Sequence, residues 1–213
     1  MNIQDNVIRN ALKNVYFVCG NACAGKSTIA RMIADKHGFE LYDMDAQYER
    51  HRAIALPEYQ PNMCYHMQDF HEQWTRPADK QAQWNMASLD EQTDMVLIDL
   101  MRIAADRPVV ADVLFSPAYT RATVDYNRFV FLTVDKSVLR PCYFERPEKL
   151  GFRDFVRRQE LSQTYFENIF AGLELTNEIE QRVMRASGLK MIERTADMKP
   201  EDMLELVERH FRI

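Results

Sequence analysis

Short apolar runs separated by longer amphipathic stretches set the plan of this chain. Val15-Tyr16-Phe17-Val18-Cys19 is unbroken and apolar. It is too short for a helix and lacks the alternation of a half-buried strand, so it predicts a strand covered on both faces. Residues 109–115, apolar except for Asp112, predict another, closed by Ser116-Pro117, and residues 128–134 a third, with Phe129-Val130-Phe131-Leu132 at its heart. Residues 39–45 predict a strand, and residues 188–192 a short last one. Between these the period lengthens. Residues 27–37 predict a helix that stops at Gly38, with Lys36 and His37 suited to its C-terminal end. Residues 46–56 predict a helix ending before Pro57. Ser88-Leu89-Asp90-Glu91 has the form of a capping box and predicts a helix to about Ala105, with Val96, Leu97 and Leu100 on its apolar face. A long helix over 159–185 contains Gly172, and Pro200-Glu201-Asp202 opens a final one. Alternating strands and helices predict an α/β fold with a parallel sheet of about five strands and helices on both faces.

At 213 residues, 46% of them hydrophobic, the chain suits one α/β domain over 1–213 with a sizeable core. Residues 57–88 fit the pattern least. They hold Pro57, Pro61 and Pro77, two tryptophans and no glycine, and they predict a helical insertion with a short amphipathic helix around 67–74. The 27 basic and 32 acidic residues give a net charge of -5, which argues against nucleic acid as the main partner. The spacing of Cys19, Cys23, Cys64 and Cys142 matches no zinc or disulfide framework, so reduced thiols and a cytoplasmic setting are expected. The N-terminus lacks a secretory layout, and no apolar run approaches the roughly 18 residues of a membrane span. Monomer and homodimer are both compatible with this composition.

Candidate chemistry begins directly after the first strand. Gly20-Asn21-Ala22-Cys23-Ala24-Gly25-Lys26-Ser27-Thr28 is a complete G-x-x-x-x-G-K-[ST] pattern between a predicted strand and a predicted helix. In that context the backbone N–H groups of Gly20, Asn21, Ala22, Cys23, Ala24 and Gly25 converge on phosphate oxygens, and the helix N-terminus adds positive potential. Lys26 is expected to reach the β/γ-phosphates, and Ser27, beside Thr28, to ligate Mg²⁺. Cys23 occupies a position where many such loops carry a third glycine. Its thiol is not expected to act as a nucleophile, because phosphoryl transfer works by positioning and charge.

Ligands in parallel sheets bind beyond the carboxyl ends of the strands, so residues where strands stop are the next candidates. Asp43 and Asp45, two apart on one expected strand, point to one face. Asp45 could orient or deprotonate an acceptor hydroxyl, or simply cap the next helix, while Asp43 could hold a Mg²⁺-bound water. Asp112 ends an apolar strand and is expected to organise Mg²⁺. Residues 140–158 carry six basic residues against three acidic ones. They predict an arginine-rich lid in which Arg140 and Arg146 neutralise transferring phosphate, with Arg153, Arg157 and Arg158 following. A solvated charged helix is the plainer reading of that segment. Arg50, Arg52, Arg76 and Arg121 are candidate acceptor contacts by position. Trp74 and Trp84 suit core packing better than stacking on a base, and His66, His71 and Cys64 fit no standard metal spacing.

On the loop 20–28, the Asp43-Met44-Asp45 pattern, the strand ending at Asp112 and the arginines after the fourth strand, the chain resembles the nucleoside-monophosphate-kinase-like group of P-loop kinases. That group includes adenylate, shikimate and gluconate kinases. The resemblance implies a three-layer P-loop fold with an insertion at 57–88 that binds an acceptor and a lid at 140–158. It implies an ATP- and Mg²⁺-dependent kinase that passes the γ-phosphate to a hydroxyl or phosphate on a small molecule, anionic if the arginines face it. The roles of Lys26, Ser27, Thr28, Asp43 and Asp45 follow from it. The chain departs from the group at Val113, where many members place glycine, and residues 57–88 match no acceptor domain of the group. A GTPase reading lacks its Asn-Lys-x-Asp and Asp-x-x-Gly signatures. A polynucleotide 5′-kinase, a general NTPase and a non-catalytic nucleotide-binding module remain as alternatives.

Overall fold

The structure, a computed structural model, describes residues 4–65, 70–115, 124–195 and 197–213. The strands are β1 (Val15–Gly20), β2 (Glu40–Asp43), β3 (Val109–Asp112), β4 (Phe129–Val134) and β5 (Lys190–Arg194). They form one five-stranded sheet in the order β2-β3-β1-β4-β5, parallel throughout. The helices are α1 (Asp5–Ala11), α2 (Lys26–His37), α3 (Met44–Ile54), α4 (Phe70–Trp74), α5 (Ala78–Ile103), α6 (Lys136–Tyr143), α7 (Pro147–Arg157), α8 (Ser162–Ser187) and α9 (Pro200–Phe211).

Every residue of β1 is buried, as its apolar run requires. Side chains alternate across the sheet, so Val15, Phe17 and Cys19 enter one core while Tyr16 and Val18 enter the other. The first core is closed by Val96, Leu97 and Leu100 of α5 and by Met184 of α8. The second is closed by Ile29, Ala30 and Ile33 of α2 and by Met203, Val207 and Phe211 of α9. The result is an α/β fold with helices on both faces of a parallel sheet. A third cluster, which shares Tyr143 and Leu173 with the second, has Phe144, Val156, Tyr165 and Ile169 packed against Phe70, Trp74 and Phe152. It joins the insertion to the arginine-bearing segment as one helical cap, and Phe70 meets Phe155 edge-on at 4.8 Å between ring centroids.

Three expectations change. The helix expected to start at Ser88 starts ten residues earlier, at Ala78. Glu91 does not cap it. Its carboxylate takes N–H groups from Asn62 at 3.1 Å and Met63 at 2.8 Å, so the apparent capping box is a mid-helix anchor for the insertion. Trp84 donates to the Asn62 carbonyl at 3.1 Å from the same helix. Second, β2 ends at Asp43, so Asp45 lies in the first turn of α3 rather than on a strand beside Asp43. Third, β3 ends at Asp112, three residues short of the expected strand end. Gly172 does not interrupt α8. A Cβ there would come within 2.8 Å of Gln81 Cγ, so the missing side chain lets α5 and α8 pack closely. Ser116-Pro117, Arg121, His66 and the start of the helix expected at 67–74 lie outside the described residues.

Glu208 ties α9 to α2. Its carboxylate accepts from Lys36 Nζ at 2.8 Å and pairs with His37 Nε2 at 2.7 Å. Burial tends to raise this carboxyl, but the Lys36 and His37 hydrogen bonds outweigh burial and hold it below the usual glutamate range. Glu208→Gln is expected to lower stability by about 1–2 kcal/mol at neutral pH. Because the folded carboxyl is depressed, that stability is present above its unfolded value and is lost as pH falls through the folded value. Urea midpoints for both forms should therefore converge in acid, and a gap that widens there would contradict this sign.

Candidate functional site

The glycine loop leaves the central strand and enters α2 with no acidic residue in that helix's first turn. The orphan amides of the helix N-terminus therefore face the loop uncompensated by a carboxylate of their own turn. Gly25 adopts φ 91° at the N-cap position, and Cys23 adopts φ 65°. Lys26 Nζ donates to the Asn21 carbonyl at 3.2 Å. Asn21 is fully buried and clamped from α8: its Nδ2 donates to Glu180 Oε2 at 2.8 Å, and Gln181 Nε2 donates to its Oδ1 at 2.8 Å. Arg194, at the end of β5, donates to the Cys23 carbonyl at 3.0 Å. A small open pocket runs alongside, between Gly25, Thr28 and Ile29 and the facing Arg194, Met198 and Met203.

Asp112 sits one strand over from the loop. Parallel register sets it beside Val18 of β1 and Asp43 of β2. It is buried, with the Ser27 hydroxyl close enough to act on its carboxyl. Burial pushes its carboxyl above the usual range, helped by the charges of Asp43 and Asp45, while Lys26 and the Ser27 hydroxyl pull it back. Lys26, Ser27, Asp43 and Asp45 thus all lie close enough to act on the Asp112 carboxyl. Asp43 caps α3 by accepting from Ala46 N at 3.1 Å, so the alternative reading of Asp45 as that cap does not hold, and Asp45 is exposed. Among the described residues no cluster of three or more His, Cys, Asp or Glu side chains could by itself hold a metal ion.

The two lid arginines part company. Arg146 stacks on Tyr143 at 4.9 Å and lies close enough to Cys23 for its charge to act on that thiol. Arg140 turns to α8, where it donates to Glu174 at 2.6 Å and Glu167 at 3.0 Å and lies over Phe170. Arg153 is held by Glu145 at 2.7 Å. Of the candidate acceptor contacts, Arg50 donates to Asp99. That carboxylate also takes Tyr42 Oη at 3.1 Å and His51 Nε2 at 2.9 Å, in a network that fastens α3 to α5. Arg76 bonds and stacks on Tyr65. Trp74 packs in the aromatic cluster, and His71 Nδ1 bonds Tyr165 Oη at 2.8 Å. The Cys23 thiol is buried near Cys142, and burial with that neighbour pushes it up to about 12, which leaves it almost wholly protonated at neutral pH.

Glu180, Gln181 and Arg194 are contributors that sequence reasoning missed. One signal for Glu180 exists: Tyr165, Ile169, Gly172, Thr176, Glu180 and Met184 recur at helical spacing, which puts a glutamate on the buried stripe of α8. Compared with models of known protein families and with curated proteins, the chain matches none. No helix among the described residues is long and apolar enough to cross a membrane.

Proposed function

We propose that the chain is an ATP-dependent kinase of the nucleoside-monophosphate-kinase-like P-loop group, passing the γ-phosphate to a hydroxyl or phosphate on a small acceptor. The observation that carries this reading is the Lys26, Ser27 and Asp112 cluster at the carboxyl ends of the central strands, beside a helix N-terminus without acidic compensation. The donor set fits Mg²⁺: the Ser27 hydroxyl and a carboxylate supply hard oxygens, and fewer than three protein carboxylates suits an ion that keeps several waters. Bound there, Mg²⁺ would offset charge on the phosphates. The loop amides and Lys26 bind the phosphate tail. Asp112 orients the Ser27 hydroxyl. Asp45 orients or deprotonates the acceptor hydroxyl, and Arg146 lends positive charge next to the loop. Arg140 holds α6 on α8. The cavity between Gly25 and Met203 offers an apolar wall and Arg194 to the nucleoside end.

The test is ADP release from Mg-ATP by purified protein against a panel of hydroxyl-bearing metabolites and nucleotides. Release that depends on one acceptor class supports the proposal. Release that is indifferent to every acceptor would make the chain a hydrolase, and tight binding without release would make it a binding module.

A further inference from the structure

We infer that Glu180 is a positioning residue of the glycine loop whose ionisation is linked to occupancy of the loop by a phosphate-bearing ligand. The inference rests on the nucleotide-binding reading above and deepens it. Glu180 reaches the loop from α8, and its Oε2 accepts Asn21 Nδ2 at 2.8 Å. Its Oε1 is buried with no hydrogen-bond partner among the described residues. The groups that face it are few: Asn21 from the loop, Lys26 from α2, and the buried thiol of Cys19 from β1. Of these only Lys26 carries charge at neutral pH. Burial pushes the Glu180 carboxyl up to about 7, with the Asn21 amide and the Lys26 ammonium opposing.

A phosphate tail at the loop changes this balance. Its negative charge approaches the carboxylate, and it engages the Lys26 ammonium that holds Glu180 ionised. Both effects favour the neutral acid. Glu180 then takes one proton from solvent at Oε1, its carboxylate becoming a carboxylic acid, while Oε2 continues to accept from Asn21. The bound state holds more protons than the free state, so affinity falls as pH rises through and above 7, by up to about tenfold per unit.

Calorimetric titration of the full chain with Mg-ADP, in PIPES and in Tris at one pH near 7.5, reads the proton count directly. Wild type is expected to take up a larger fraction of a proton than Glu180→Gln. The glutamine keeps an acceptor for Asn21 but cannot ionise, and protonation of the nucleotide itself is common to both proteins. The variant should bind with a flatter pH profile. Glu180→Leu, which strands the Asn21 amide, should bind more than about tenfold more weakly at every pH. Equal proton uptake by wild type and Glu180→Gln would overturn the inference. Should that variant not fold, carbon-13 NMR of labelled glutamate in wild type decides the matter. A buried carboxyl titrating near 7 and moving upward with Mg-ADP supports the link, and one that does not move refutes it. Wild type that fails to bind Mg-ADP at all overturns the nucleotide-binding reading itself, whereas binding without a proton difference overturns only the role of Glu180.

Discussion

Lys26→Ala is expected to lower phosphoryl transfer by about 10³-fold or more while the protein stays folded. Among the described residues the ammonium has one hydrogen bond, to the Asn21 carbonyl at 3.2 Å, so the local packing barely depends on it. Its larger effect is electrostatic. It lowers both Asp112 and Glu180, the two buried carboxyls nearest the loop. Without it each carboxyl rises further. The variant therefore loses the positive charge beside the loop on which the proposed phosphate binding depends. Steady-state rates with the acceptor found by the panel, together with a urea midpoint, check this. A variant within about tenfold of wild-type kcat/KM would remove Lys26 from the proposed role, and one that has simply unfolded would show in the midpoint.

Gly20→Ala is expected to give the largest loss of stability, about 4 kcal/mol or more, because backbone strain and a steric clash add. Gly20 adopts φ 145°, and a Cβ there would lie 2.0 Å from the Leu132 carbonyl oxygen and 2.7 Å from its nitrogen. Both atoms belong to the backbone of β4, to which the next residue bonds through Asn21 N at 3.0 Å. Relief requires the two central strands to separate. Gly25→Ala is the informative contrast. Its φ is 91° with nothing within 4 Å of the added carbon, so only the backbone penalty applies, about 1–2 kcal/mol. Urea unfolding of the pair should rank Gly20→Ala far below Gly25→Ala, and equal midpoints would refute the account. The first glycine of the motif is thus required by strand packing here, whatever binds the loop.

The sheet was legible because its strands carry their burial in their composition. Residues 15–19 and 129–132 can be covered only on both faces, and the glycine pattern marks where the chain must turn. Helix starts were harder. Ser88 and Glu91 have the right spacing for a cap, but such spacing also occurs mid-helix, and only the position of Asn62 and Met63 decides what Glu91 binds. The seven-residue α1, with no buried residue, left no apolar stripe to find. At the site, local sequence brought out Lys26, Ser27 and Asp112 because each follows a strand or opens a helix. Glu180 lies 159 residues from Asn21. Its contact is a product of packing α8 beneath β1, and a chain read along its length records only that a glutamate falls on an apolar stripe. Arg140 was hard to read for a related reason: an arginine among aromatics suggests a ligand clamp, yet in the structure it pairs with Glu167 and Glu174, about two turns apart on a helix that the pattern could not orient.

The length of α8 carries a mechanical corollary. At 26 residues it is a rod of about 39 Å. One end seats Phe166 and Phe170 under the aromatic cap, the other grips Asn21, and Gly172 rests against Gln81 between them like a fulcrum. One continuous helix therefore links the aromatic cap to the glycine loop.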